Sequence, residues 1–169
     1  MRTLRFTIED VSRGNLILVN PSHPIKTDIP LKGLVPIRPK CPNLVLEQQP
    51  ARMLSEIMRF LGCEQEIVPV SGYRTMQEQQ QIYANSLLEH GEAFTRKYVA
   101  IPGCSEHQTG LAIDLAQNSE AIDFIRPDFS YTGICGLFRE FSAQYGFIER
   151  YPADREHITA IAHEPWHFR

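Results

Sequence analysis

The sequence has no apolar run that approaches the roughly 20 residues a helix needs to cross a bilayer, so we expect no membrane span. Clusters of basic residues are also absent, because the 17 Lys and Arg are scattered among 20 Asp and Glu, with a formal net charge of −3. We therefore expect no binding to nucleic acid. Within "MRTLRFTIEDVSRG", Glu9 and Asp10 interrupt the apolar stretch that a signal peptide requires, which predicts a cytoplasmic protein.

The chain has only four cysteines, and none of them forms a CxxC pair. The wide spacing of Cys41, Cys63, Cys104 and Cys135 predicts reduced and largely buried thiols rather than a disulfide framework. Cys104 is the exception, because it stands three positions before His107 and the pair has a spacing that can bind a metal ion.

Internal repeats and low-complexity tracts are missing as well. A chain of this length is most simply one domain over 1–169, large enough to bury a core. Residues 1–65 carry no recognisable motif, whereas residues 66–169 carry the candidate site residues. In the first part, "LRFTIED" and "NLILVN" are predicted strands, and the prolines from Pro30 to Pro42 predict extended connections.

Three segments have the spacing or the capping residues of helices. Apolar side chains fall on one face of residues 49–62 and again on one face of residues 134–145. Between these two helices, Thr75 and Glu78 form a capping-box pattern, which predicts a helix that runs to about His90.

Four segments have the composition of strands: "EIVPVSGY", "GLAIDLA", "FIERYP" and "HEPWHF". Pro69 in the first of them predicts a sheet edge or a bulge, because proline cannot donate a ladder hydrogen bond. The mixed order of strands and helices predicts an α+β domain with a mostly antiparallel central sheet flanked by helices.

Asp114 is the residue of "GLAIDLA" that most needs an explanation. The strand pattern places Leu111, Ile113 and Leu115 on one face, and Asp114 on the other face among small alanines. An isolated buried charge costs several kcal/mol or more, so Asp114 should have a partner, and a metal ion is one candidate. The small neighbours leave space for an ion beside the carboxylate.

His107, Asp114 and His167 together supply two imidazoles and one carboxylate, a set that suits zinc with a fourth position left for water. Glu164 lies three residues before His167, where it can accept a proton from that water without binding the ion. Spacing alone leaves a second interpretation equally open. In that case His107 is a loop histidine, Asp114 a turn or cap residue, and Glu164 with His167 a surface pair.

The segments "SGYR", "SEHQTGLAID" and "EPWHF" resemble, in order and spacing, the zinc D,D-peptidases of the VanY/VanX type. These enzymes include D-alanyl-D-alanine carboxypeptidases, dipeptidases and the bifunctional VanXY enzymes of vancomycin resistance. The resemblance covers residues 66–169 and is closest to the VanXY and VanY branch. It implies an α+β fold of the hedgehog/D,D-peptidase type.

The resemblance also implies roles for individual residues. His107, Asp114 and His167 match the zinc ligands, and Glu164 matches the catalytic base. Arg74 matches an arginine that stabilises the developing oxyanion or the substrate carboxylate, a task that suits a planar guanidinium. A surface ion pair with a glutamate of its own helix is the alternative for Arg74.

Three further positions are implied to face the substrate. Gln79 and Ser105 match substrate-contacting positions, and Trp166 is expected to form a wall of the pocket. From the residues alone, Gln79 is equally an ordinary helix-surface residue, Ser105 a turn former, and Trp166 a core residue.

The resemblance therefore implies a zinc-dependent hydrolase that acts on small peptides ending in D-Ala-D-Ala, either peptidoglycan precursors or the free dipeptide, as a monomer or homodimer. One alternative is a peptidase that cuts an L,D- or L-alanyl-D-glutamate bond. The other is a non-catalytic zinc module closed by Cys104, His107, Asp114 and His167. His167 precedes the last printed residue by only two positions, so we expect it to serve as a ligand only if its strand is held in the sheet.

Overall fold

The computed structural model describes residues 5–25, 33–39 and 41–169. In chain order, its strands and helices are β1 (Leu34–Arg38), β2 (Cys41–Glu47), α1 (Gln48–Leu61), β3 (Ile67–Ser71), α2 (Met76–Tyr98), β4 (Ile113–Gln117), α3 (Gly133–Ser142), β5 (Glu149–Tyr151), α4 (Glu156–Thr159) and β6 (Glu164–Phe168). Short 3₁₀ helices cover Gly14–Leu16, Glu106–Thr109 and Ala143–Tyr145.

Both sheets are antiparallel. The central sheet has the strand order β3-β4-β6-β5, and β1 and β2 form a separate two-stranded sheet. The predicted α+β class with a mostly antiparallel sheet flanked by helices is therefore confirmed. Pro69 lies on the edge strand β3, and the β3–β4 register shifts between Pro69 and Ser71, as its sequence predicted.

The hydrophobic core lies between α1, α3 and one face of the central sheet. Helix α1 buries Leu54 and Ile57 from its apolar face, which confirms the helix predicted over 49–62. From β4, Ile113 and Leu115 enter the same core cluster. Asp114, between them in sequence, points to the opposite face, so the predicted alternation of this strand is also confirmed.

Helix α2 begins with the predicted capping box, in which Thr75 Oγ1 accepts from Glu78 N and the Glu78 carboxylate accepts from Thr75 N. The helix was expected to end near His90. Instead, the positive φ of Gly91 (78°) breaks it, and a second helical segment continues to Tyr98. A buried hydrogen bond of 2.7 Å between the hydroxyls of Ser86 and Thr95 joins the two segments across the break.

The strands predicted for "LRFTIED" and "NLILVN" were wrong over their described residues. Residues 5–25 form turns, a 3₁₀ helix and an isolated bridge between Asn20 and His23. Phe6 and Ile8 stay 57% and 75% exposed, because no sheet face covers them. The prediction of an extended connection from Pro30 to Pro42 was wrong in part, because β1 and β2 occupy much of this segment. Pro30, and Leu4 at the start of "LRFTIED", lie outside the described residues.

Within the described ranges, no helix is both long enough and apolar enough to cross a membrane.

Gly72 packs the segment after β3 against β2. Its main chain runs so close to β2 that an added Cβ would lie 2.4 Å from Val45 O, and Tyr73 N donates to the same carbonyl at 2.8 Å. Gly72 therefore permits a close approach that carries the chain directly into the segment before α2.

We expect Gly72→Ala to lower the free energy of unfolding by more than Gly62→Ala. At Gly62 nothing lies within 4 Å of an added Cβ, so the cost there is the left-handed strain of about 1–2 kcal/mol. At Gly72 the new methyl must displace the main chain of β2. Equilibrium urea unfolding measures both values, and an equal or smaller loss for Gly72→Ala would contradict the close packing.

Candidate metal centre and active site

Three side chains predicted as metal ligands meet on the face of the central sheet that lies opposite the core. His107 comes from the 3₁₀ helix Glu106–Thr109, Asp114 from β4 and His167 from β6. The β4–β6 register pairs Asp114 directly with His167, so both side chains point to the same face. All three residues are buried, and one potential ligand atom from each lies within 4.8 Å of the others.

The Asp114 carboxylate lies between the two imidazoles. Its Oδ2 is 3.0 Å from His107 Nε2, and its Oδ1 is 2.9 Å from His167 Nδ1. The ring planes are inclined by 80° with centroids 5.0 Å apart. Ligand atoms at about 2.0–2.1 Å from one tetrahedral ion are separated by about 3.3 Å. The two nitrogen–oxygen distances are near this value, and the potential ligand atoms of all three residues lie within 4.8 Å of one another.

The second nitrogen of each ring also faces an acceptor. His107 Nδ1 lies 2.7 Å from Gly72 O, and His167 Nε2 lies 3.3 Å from Glu106 Oε2. Each ring can donate its N–H outward to these acceptors and keep its other nitrogen directed at Asp114. This is how histidine ligands of metal ions are usually oriented.

The protein environment shifts the pKa of each of the three groups. Burial would raise the pKa of Asp114, but the charges and hydrogen bonds of His107 and His167 hold it well below its usual range. Burial and the charge of Arg74 lower the pKa of His107. Burial also opposes a charged His167, yet the hydrogen bonds to Asp114 and Glu106 raise the pKa of His167 to about 9.

Glu164 begins β6 and is buried next to the three candidate ligands. Its Oε2 lies 3.9 Å from His167 Nδ1. Burial raises the pKa of Glu164 to about 8, with the attraction of His167 opposing this shift and the negative charge of Asp114 adding to it. A carboxyl that titrates near neutral pH can both accept and return a proton under physiological conditions.

Arg74 lies between β3 and α2 and contacts the same carboxylate. Its Nη2 is 3.2 Å from Asp114 Oδ2, its Nε donates to Ser71 Oγ at 2.8 Å, and its Nη1 donates to Gln79 Oε1 at 3.3 Å. The side chain is 13% exposed. Arg74 therefore pairs with Asp114 of the site and not with a surface glutamate of α2.

The other predicted substrate residues separate into two groups. Ser105 and Trp166 line the cleft above the three candidate ligands, and Trp166 also belongs to the core cluster. Gln79 is fully buried behind Arg74, where its amide nitrogen donates to Ala100 O at 2.8 Å. Gln79 is therefore not a surface residue, and its observed contacts support the position of Arg74.

The cleft above the candidate ligands is partly open to solvent. Its polar groups converge from the sheet side, whereas aromatic and aliphatic side chains form the remaining wall: Ile82, Tyr98, Val99, Phe124, Ile125 and Trp166. Pockets lined in this way, by a few convergent polar groups and an apolar wall, hold small ligands with apolar substituents.

Cys104 does not belong to the metal-ligating group, which is the one cluster of this kind that residues 5–25, 33–39 and 41–169 contain. Burial raises the pKa of the Cys104 thiol, so it is a poor source of thiolate. The closed four-ligand alternative therefore has no support from the geometry.

Glu106 is a site residue that the sequence analysis missed. Its side chain is completely buried and contacts His167, Arg150 and Arg169. Burial would raise the pKa of Glu106, but the hydrogen bond with His167 and the two guanidinium charges lower it to about 2. The available signal was its place in "SEHQTG", directly before His107, but the sequence does not show that this side chain turns inward.

His167 is held within the sheet. Its strand pairs with β4 on one side and with β5 on the other, and the main chain of Arg169 exchanges two hydrogen bonds with Ile148. His167 therefore lies in a strand that is paired on both sides, which is the condition under which we expected it to serve as a metal ligand.

Comparison with known proteins gives a consistent result. Residues 46–169 match the family model of VanY, D-alanyl-D-alanine carboxypeptidase. The chain is 42% identical over 157 residues to the bifunctional D-Ala-D-Ala dipeptidase and D-Ala-D-Ala carboxypeptidase VanXYC of Enterococcus gallinarum. This match covers 92% of the chain and 83% of the relative.

Solved structures agree with the sequence matches. The D,D-dipeptidase VanXYg in complex with a D-Ala-D-Ala phosphinate analogue superposes with a TM-score of 0.91 at 53% identity, over 95% of this chain and 64% of that one. A mutant of the D,D-pentapeptidase VanY in complex with Zn(II) superposes with a TM-score of 0.76 at 28% identity, over 92% of this chain and 86% of that one. The LD-carboxypeptidase LdcB superposes with a TM-score of 0.67 at 32% identity, over 92% of this chain and 75% of that one. The resemblance seen in the sequence is confirmed, and the chain belongs to the VanY family of D-alanyl-D-alanine carboxypeptidases.

Proposed function

We propose that this chain is a zinc-dependent D,D-peptidase that hydrolyses the terminal D-Ala-D-Ala bond of peptidoglycan precursors and of the free dipeptide. The observation that carries the proposal is the buried group His107, Asp114 and His167, with Glu164 beside it, at the base of a cleft. The 42% identity to VanXYC, whose name states both activities, supports the choice of substrate. The similarity to VanXYg and VanY, both described as vancomycin-resistance enzymes, supports a context of glycopeptide resistance.

The donor set fits zinc. A neutral His107, the form that can bind a metal ion, has one N–H, yet both its nitrogens face acceptors, Gly72 O at 2.7 Å and Asp114 Oδ2 at 3.0 Å. One of these contacts must oppose two lone pairs, and a cation between His107 Nε2 and Asp114 removes that conflict. His107 Nε2, His167 Nδ1 and an Asp114 oxygen would hold the ion. When bound, zinc polarises the scissile carbonyl and lowers the pKa of a coordinated water to about 7.

Glu164 performs the proton transfer of the reaction. It accepts the proton of the attacking water while the new C–O bond forms, and it delivers this proton to the leaving amine as the C–N bond breaks. Its pKa near 8 without an ion is lowered when a divalent cation binds nearby, because an opposite charge favours the carboxylate. Glu164 is then ionised and ready to act as a base at neutral pH.

Arg74 lines the cleft and stays cationic. Burial lowers its pKa, but the carboxylates of Asp114 and Glu164 oppose this shift. A guanidinium at this position can stabilise the developing oxyanion or bind the terminal carboxylate of the substrate. The apolar wall with Phe124 and Trp166 can accommodate the methyl groups of two D-alanines.

A second candidate function is cleavage of an L,D bond in peptidoglycan. The similarity to the LD-carboxypeptidase LdcB favours it, although that match is weaker than the match to VanXYg. Mass spectrometry of the products from purified muropeptides separates the two reactions. Localisation in the cytoplasm and a monomeric or homodimeric state stay predictions of the sequence.

We expect Glu164→Gln to lower the rate of D-alanine release by about 10²–10⁴-fold, because the amide cannot accept the proton of water. The assay measures D-alanine from the free dipeptide and from a muramyl pentapeptide, with zinc content measured alongside. Zinc content should match that of the unmodified protein. Glu156→Gln, on exposed α4, is the matched control. Near-normal turnover of Glu164→Gln would contradict the assigned role.

We expect zinc affinity to rise as the pH increases from 6 towards 9. Below its pKa of about 9, His167 carries a proton on the nitrogen that faces Asp114, and only the neutral ring can bind an ion, so zinc must displace this proton. Glu164, with a pKa of about 8, releases part of a second proton. Calorimetry in buffers of different ionisation enthalpy counts the released protons. A pH-independent affinity, or zinc retained well below about pH 4, would rule out His167 as a ligand.

We expect Arg74→Lys to lower kcat/KM by about 10²–10³-fold, because an ammonium cannot reproduce the planar, two-donor contact. A loss in kcat assigns Arg74 to the oxyanion, and a rise in KM assigns it to the substrate carboxylate. Arg52→Lys, whose side chain is 67% exposed, is the control and should keep full activity. Full activity of Arg74→Lys would exclude both roles.

A further inference from the structure

We propose that Glu106 is a positioning residue that fixes the orientation of His167 as a metal ligand, and that Arg150 and Arg169 hold Glu106 in place for this task. The inference rests on the proposed function, because it takes His167 as a ligand. It assigns a role to a buried ion network that the peptidase mechanism does not otherwise use.

The two carboxylate oxygens of Glu106 have separate partners. Oε1 accepts from Arg150 Nε and from Arg169 Nη1, both at 2.8 Å. Oε2 faces His167 Nε2 at 3.3 Å. The guanidinium groups therefore occupy one oxygen and leave the other for the imidazole, a division that an ordinary two-residue ion pair would not need.

The contact with Glu106 selects which nitrogen of His167 faces the ion. With Nε2–H directed at Glu106, Nδ1 is the nitrogen that faces Asp114 Oδ1, 2.9 Å away, and its lone pair becomes available to an ion once its own proton is lost. The two candidate ligand rings thus use opposite nitrogens, since His107 places Nε2 against Asp114 and Nδ1 on Gly72 O. A carboxylate that accepts the outer N–H fixes the tautomer and increases the basicity of the ligating nitrogen.

The network is anchored on both sides. Arg150 belongs to β5, and Arg169 follows β6, where its main chain pairs with Ile148 and its second guanidinium nitrogen donates to Ile17 O. The Glu106 side chain is 0% exposed, so its charge requires these partners to remain ionised. Glu106 also directly precedes His107, so one short 3₁₀ helix provides one ligand and orients the other.

Glu106→Gln tests the proposal through the zinc affinity of the purified protein, measured by competition with a chromophoric chelator. A glutamine amide has only one acceptor oxygen. Its NH₂ group would therefore face other donors, either the guanidinium groups or the His167 N–H. We expect zinc affinity to fall by about 10–100-fold, as for other groups that orient ligands. The His167 N–H proton resonance of the zinc-loaded protein should also move upfield and exchange faster with water.

Glu149→Gln is the matched control. Glu149 is another largely buried carboxylate that pairs with an arginine, Arg139, and it is not among the metal-ligating residues or their direct partners. Removing its charge should lower the stability of the fold and leave zinc affinity unchanged. Equal losses of zinc affinity in Glu106→Gln and Glu149→Gln would show a general effect on folding and overturn the proposal.

Glu106→Asp covers the case in which the glutamine variant does not fold. It keeps the charge beside Arg150 and Arg169 but is too short to reach His167 as well, so zinc affinity should still fall several-fold. Wild-type zinc affinity in either variant would refute the positioning role of Glu106. The proposed function would be unaffected, because the peptidase assay of the unmodified chain tests it separately. Tight zinc binding without any peptidase activity would instead refute the proposed function and leave the role of Glu106 intact.

Discussion

The structure of the site depends on the buried carboxylate of Asp114. It lies within 3.2 Å of two imidazoles and one guanidinium, and the residue is only 4% exposed. Burial of an uncompensated carboxylate would cost several kcal/mol, so the surrounding groups are required by the charge itself. The same charge makes the site attractive to a divalent ion, since both imidazoles direct a nitrogen at it.

The sheet delivers these groups to one place. Ser71, Asp114 and His167 form a row of paired residues across β3, β4 and β6, and they share the face opposite the core. Arg74 is held beside this row by its hydrogen bond to Ser71, and the short 3₁₀ helix Glu106–Thr109 contributes His107. Because Ile113 and Leu115 on the opposite face of β4 pack into the hydrophobic core, the core fixes the position of the strand that carries the candidate ligand Asp114.

Much of this arrangement could be predicted from the sequence, and the limits have physical reasons. The alternation in "GLAIDLA" and the capping box at Thr75 are local patterns, and both were correct. The strands predicted near the N-terminus were wrong because strand-like residues alone do not supply a partner strand. Glu106 was missed because nothing local distinguishes an inward-facing glutamate from a solvated one. Its partners Arg150 and Arg169 stand 44 and 63 positions away.

The central claim is that one ion is bound by His107, Asp114 and His167. X-ray absorption spectroscopy of the zinc-loaded protein tests it most directly. The account predicts a zinc shell of two imidazole nitrogens and oxygen ligands at about 2.0–2.2 Å, with no sulfur. A sulfur ligand at about 2.3 Å, or a shell with fewer than two imidazoles, would contradict it.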